Sequence, residues 1–113
     1  MLIALGSTTV TSAGTPVPVA TATNYVAQGS ELRVHAILIQ ALPTNTGKVY
    51  VGLKGLTKAT YSQVLCVLPP PTTNMYPVFM VEMESVPNFY DICMVYIDVD
   101  VNGEGVLTTV SRQ

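Results

Sequence analysis

The chain reads as short runs of apolar and β-branched residues separated by Pro-, Gly- and Asn-containing turn signals. Nowhere does the i, i+3, i+4 spacing of an amphipathic helix run past the next Pro, Gly, Thr or Val. Strands and turns are therefore expected throughout. The clearest strand is ELRVHAILIQAL, with Leu32, Val34, Ala36 and Leu38 on one face and Arg33, His35, Ile37 and Ile39 on the other. That second face begins polar and ends apolar, which predicts partial cover by a second layer or a neighbour. The loop PTNTG then suits a hairpin connection to a returning strand KVYVGL, which Gly52 and Gly55 are expected to end. ATYSQVLCVL follows and is stopped by Pro69, Pro70 and Pro71, a run that is extended wherever it packs. In YPVFMVEMES, Val78, Met80 and Glu82 alternate with Phe79, Val81 and Met83.

The N-terminal part contains two short β-prone pieces, about residues 7–12 and 16–22, separated by Ala13-Gly14-Thr15. Pro16 and Pro18 place the second piece at a sheet edge or in an arm, because proline cannot donate to a central ladder. Seven to nine short strands with a turn signal every ten residues or so predict an all-β fold. The expected architecture is an antiparallel β-sandwich, jelly roll or barrel, with the sandwich or jelly roll preferred. The 113 residues form a single domain, in which residues 1–23 are either an extended N-terminal arm or an edge strand.

Composition adds a constraint on the surface. Charged residues are 11% of the chain against about 25% in an ordinary soluble domain. Hydrophobic residues reach 49% and mean hydropathy is +0.43. A surface covered in Thr, Ser and Gln is one answer to so few charges. Apolar surface buried against other subunits is the other, and the preferred one. The apolar runs VLCVLPPP and YPVFMV fall well short of the ~18 residues that a spanning helix needs. The start MLIALGSTTV lacks the basic residue and the long apolar stretch of a secretory signal, so the protein is expected to stay where it is made.

Arg33, Lys48, Lys54 and Lys58 fall in the first half against Glu31. In the second half Arg112 stands against Glu82, Glu84, Asp91, Asp98, Asp100 and Glu104. No basic cluster forms and the isoelectric point is near 5.0, which argues against nucleic-acid binding.

Candidate chemistry is sparse. Asp98, Asp100, Asn102 and Gly103 match the opening D-x-D-x-N-G of an EF-hand calcium loop. Position 12 of that loop would be Thr109, which offers no carboxylate, position 8 is Gly105, and both flanks are β-branched rather than helical. The expectation is instead a hairpin with Asn102-Gly103 at the centre of a type I′ turn. In that register Val99 opposes Val106, Ile97 opposes Thr108 and Val95 opposes Val110, while Asp98 and Asp100 alternate outward; a weak, open calcium site between those two acids is the lesser alternative.

His35 is the single histidine, and no G-x-S-x-G pattern accompanies it. Glu82 and Glu84 share a strand face about 7 Å apart, near the spacing of paired glycosidase carboxylates, but two acids on a solvated edge explain them more simply. Cys66 and Cys93 lack metal-ligand spacing and read as buried thiols, with a disulfide as the alternative. The absence of Trp weakens a sugar-stacking reading of the six tyrosines. No catalytic, cofactor or metal residue is assigned, and a non-enzymatic role is expected.

Three segments, TSAGTPVPVA, HAILIQALPTNTGKVYVG and YDICMVYIDVDVNGEGV, together resemble a group of small β-rich virion proteins of tailed bacteriophages. Those proteins have an AGTPV-like start, an IQALPxNTGxVYVG hairpin and an IDADVNGEGV-like hairpin near the end. The likeness runs from about Ala13 to Val106, and it is the order of the motifs that carries it. VLCVLPPPTTNMYPVFM departs from the group, where a Gly-rich connection is more usual. The resemblance implies a structural protein of the virion, assembled in the host cytoplasm. Its implied role is a head decoration or cement protein that binds the major capsid protein as a homo-oligomer. A tail, neck or tail-fibre component acting as a carbohydrate- or receptor-binding or adaptor β module is the alternative. Neither membrane nor nucleic acid is an implied partner.

Overall fold

The computed structural model describes residues 2–20, 33–34, 36–82, 90–91 and 94–111. Among them are ten β-strands and no α-helix: β1 (Leu2–Thr9), β2 (Val17–Pro18), β3 (Arg33–Val34), β4 (Ala36–Ala41), β5 (Val49–Thr57), β6 (Ser62–Leu68), β7 (Val78–Glu82), β8 (Tyr90–Asp91), β9 (Val95–Val99) and β10 (Gly105–Ser111). Eight of them form two antiparallel four-stranded sheets. Sheet A has the order β1-β10-β4-β7 and sheet B the order β2-β9-β5-β6, while β3 and β8 pair with each other.

Pairing is nested. β1 pairs with β10, β2 with β9, β3 with β8, β4 with β7 and β5 with β6, as though the whole chain were one long hairpin with its tip between Thr57 and Ser62. That ribbon is folded back on itself and sealed by β10 against β4 and by β9 against β5. The result is a jelly roll, an eight-stranded β-sandwich.

Four of the connections between the sheets lie wholly within the described residues: 10–16, 42–48, 69–77 and 100–104. They leave the sandwich at one pole, because Thr9 pairs with Gly105, Gln40 with Val78, and Val49 with both Leu68 and Val99.

This topology corrects both expected hairpins. β4 and β5 lie in different sheets, so PTNTG is an inter-sheet crossing, and the same holds for the Asn102-Gly103 turn between β9 and β10. Val99 pairs with Val49 and Ile97 with Val51, whereas Val106 pairs with Ala41 and with Thr8. The turn geometry explains the difference. A type I′ hairpin turn needs positive φ at both central residues. Gly103 has φ +85°, but Asn102 is not among the residues with positive φ. Glu104 N–H donates to the Val101 carbonyl at 3.2 Å, closing a turn with Gly103 in the third position, as a type II turn requires.

Gly52 and Gly55 do not end β5, which runs on to Thr57 with irregular register on either side of Gly52. The N-terminal residues form edge strands, β1 in sheet A and β2 in sheet B, and residues 21–23 lie outside the described residues.

The core is β-branched. Ile37, Ile39, Ala41, Val106 and Val110 of sheet A face Val49, Val51, Leu68, Val95, Ile97 and Val99 of sheet B, and Val10, Val19 and Val34 complete the cluster. Burying each of the larger side chains contributes about 1.5 to 3 kcal/mol. On β4 the face of Ile37 and Ile39 is wholly buried, while Leu38 points outward at 36% exposure. Thr108 is a polar residue within this layer, and its hydroxyl has no hydrogen-bond partner among the described residues.

Gly105 is required by a close approach, since a Cβ there would run into the Thr8 carbonyl oxygen. Gly103 faces open space and needs only its positive φ. Gly105→Ala is therefore expected to cost about 3 kcal/mol and Gly103→Ala about 1 kcal/mol. Urea unfolding midpoints check the order, and equal losses would contradict the packing at β1.

Candidate functional site

Two regions stand out, the polar pole where the crossings meet and the outer face of sheet A.

At the pole, residues 100–105 collect bonds from two other crossings. Val10 N–H donates to the Glu104 carbonyl (2.9 Å), Gly103 N–H to the Val10 carbonyl (2.8 Å), Leu42 N–H to the Gly105 carbonyl (3.1 Å) and Asp100 N–H to the Lys48 carbonyl (3.1 Å). Buried Asn45 donates from Nδ2 to the Gly105 carbonyl at 2.8 Å and accepts from Gly105 N–H at 3.3 Å. The Glu104 carboxylate accepts from Thr46 N–H (2.6 Å), the Thr46 hydroxyl (2.9 Å) and Gly47 N–H (2.9 Å).

The EF-hand-like spacing thus has another use. Asp98 is 1% exposed, and its Oδ1 accepts from Gly14 N–H (2.9 Å) and Val99 N–H (2.8 Å). A carboxylate so buried requires such donors. Asn102 Oδ1 accepts from Ala13 N–H at 2.7 Å. Asp100 points elsewhere, accepting from Lys58 Nζ at 3.4 Å and from the Tyr50 hydroxyl at 3.3 Å. Burial, then the bond to Asp100, raises the Tyr50 hydroxyl above its ordinary pKa. The Lys58–Asp100 pair is partly exposed and adds at most about 1 kcal/mol. Strands flank the loop where an EF-hand has helices. Among the described residues no cluster of three metal-ligating side chains forms.

The other candidate residues are dispersed. Glu82 pairs with Ala36 at the end of β7. His35, Glu84 and Cys93 lie outside the described residues. Cys66 is a free, half-buried thiol packed against the core, and burial pushes its pKa up, away from reactivity.

The outer face of sheet A is built differently. Its register rows run Ser7, Leu107, Gln40, Val78; then Ala4, Thr109, Leu38, Met80; then Leu2, Ser111, Ala36, Glu82. The only ionisable residue in this grid is Glu82, at one corner. Leu2 is 77% exposed, Met80 65%, Val78 51% and Leu107 40%. Met75 and Tyr76, in the 69–77 crossing that leads into β7, are also exposed. Such a continuous uncharged patch is characteristic of a surface that other molecules cover.

The roles of Glu104, Asn45 and Leu107 carry no signal of their own in the sequence. Period-two alternation in EGVLTTV and YPVFMV contained the signal for the face, but which strands lie side by side was needed to assemble it. No family model, curated protein or solved structure matches the chain.

The Glu104 carboxylate is pulled two ways. Burial favours its neutral form, but the bonds from Gly47 N–H, Thr46 N–H and the Thr46 hydroxyl together prevail and hold its pKa below the ordinary glutamate value. A depressed folded-state pKa gives stability that is present above the unfolded-state value of about 4.3 and is lost as pH falls through the folded value. Wild-type protein is therefore expected to lose more stability between pH 6 and pH 3 than Glu104→Gln does. Urea midpoints at the two pH values measure this, and parallel losses would contradict a stabilising role for the bonds from Thr46 and Gly47 to Glu104.

Proposed function

We propose that this is a non-enzymatic structural protein of a phage virion, a capsid decoration or cement protein that reinforces the head shell through contacts of its exposed sheet. The observation that carries the reading is the outer face of sheet A, where Leu2, Leu38, Val78, Met80 and Leu107 are exposed on a surface with a single charge at its corner. A free monomer gains nothing from such a face. A protein held on a lattice buries it, at about 25 cal/mol per Å² of apolar area.

Charge is placed consistently with this role. Of the acids of the second half, Asp98, Asp100 and Glu104 are engaged at the pole by backbone amides, Tyr50 and Lys58, and only Glu82 lies at the corner of the sheet-face grid. Jelly rolls also serve as viral capsid and lectin domains, an analogy of fold that raises the expectation without deciding it. The phage resemblance of the three sequence segments points the same way.

Immunogold electron microscopy of phage particles produced with the gene tests the proposal. Label distributed over the head is expected. Label confined to the tail would turn the reading to a receptor-binding or adaptor module, and unlabelled particles would overturn it.

A further inference from the structure

A sandwich of two open sheets has four edges, each offering unpaired N–H and C=O groups to another chain, and proteins usually blunt such edges. Three of the four are blunted here. β1 carries a register shift between Ala4 and Gly6, with Gly6 at φ +83°. β2 is two residues long and contains Pro18. β6 pairs irregularly and holds Gln63 at φ +60°. β7 alone is regular: five residues pair with β4 without a shift, no proline lies inside the strand, and Val78 and Met80 are exposed. Among the described residues nothing pairs with its other side.

We propose that β7 is a homodimerisation edge, joined antiparallel to β7 of a second copy so that two A sheets become one continuous sheet across a two-fold axis.

Hydrogen-bond phase makes the edge self-complementary. Ala41 N–H donates to the Pro77 carbonyl. By antiparallel alternation, Phe79 and Val81 direct their amides and carbonyls at β4, while Val78, Met80 and Glu82 direct theirs at the free edge. In a two-fold pairing centred on Met80, Met80 meets its own mate and Val78 meets Glu82 of the second copy. All three outward-directed residues then face outward-directed partners, for about six N–H···O bonds. The glutamates fall opposite valines rather than each other, so no like charges are juxtaposed. The partner is chosen by this symmetry: the edge matches itself in phase, in apolar content and in charge placement. The joined sheet also doubles the uncharged face. A five-residue edge buries less than the ~1,200 Å² of a standard interface, so the dimer belongs to the transient, concentration-dependent class.

Sedimentation equilibrium of the purified protein from about 10 μM to 1 mM, with circular dichroism as the control for folding, tests the pairing. Wild-type protein is expected to pass from monomer to dimer over this range. Met80→Lys sets two like charges at the axis, and Met80→Pro removes an amide that β4 does not use, so both are expected to remain folded monomers. Val78→Lys faces Glu82 of the second copy and is expected to tighten the dimer several-fold at low salt. A wild-type monomer at the highest concentration would overturn the proposal. A dimer that Val78→Lys weakens as much as Met80→Lys does would also overturn it, because that is the behaviour of unregistered apolar association. The experiment needs no virion, so its outcome is independent of the head-shell reading.

Discussion

The fold depends on a constraint at one pole: each strand that ends there must hand the chain to the opposite sheet. Four crossings satisfy it, and residues 100–105 are the hub to which two of the others bond. Asn45 and Gly105 exchange a pair of hydrogen bonds, Glu104 binds the backbone of Thr46 and Gly47, and Asp98 and Asn102 bind that of Gly14 and Ala13. Each satisfies amides or carbonyls that the turning chain would otherwise leave unpaired, at a cost of about 1 to 3 kcal/mol apiece when buried. With the crossings held, the inner faces of both sheets close over a Val- and Ile-rich core. Gly105 permits the tightest approach, that of β10 to β1.

The acidic motif takes its meaning from that pole. Asp98, Asp100, Asn102 and Glu104 are spaced as cation ligands might be, yet they point in different directions. Asp98 and Asn102 turn toward the N-terminal crossing, Glu104 toward the 42–48 crossing, and Asp100 toward Lys58 and Tyr50. In an extended chain the i, i+2, i+4 spacing of D-x-D-x-N-G-E would place these acceptors on one side; here the chain bends at Asp100 and turns over Val101–Glu104, and that departure from the strand distributes them. A helix-flanked loop would curl the same spacing around one point.

The strands themselves were legible in the sequence, because β-branched residues at period two mark a half-buried pleated surface and the prolines mark its limits. Their partners were not. Asn102-Gly103 between apolar runs is a strong local hairpin signal, and the nested pairing that overrides it comes from contacts between residues far apart in the chain, such as Leu2 with Ser111. Asn102 avoids positive φ and Gly103 alone adopts it, a distinction that residue identity does not encode. The same limit applied on β4, where two apolar faces competed and only the position of sheet B decided that Ile37 and Ile39 go inward and Leu38 outward. The uncharged face was legible in part: composition implied apolar surface awaiting cover, but its location required β1, β10, β4 and β7 to be placed side by side. His35, Glu84 and Cys93 lie outside the described residues and add nothing to this comparison.

The jelly roll requires β9 and β10 to belong to different sheets, which nuclear Overhauser effects between backbone protons read directly. Cross-strand contacts of Val99 with Val49 and of Val106 with Ala41 are predicted. Strong contacts of Val99 with Val106 and of Ile97 with Thr108 would instead describe a local hairpin closed by Asn102-Gly103, and would contradict the jelly roll, its polar pole and the uncharged face together.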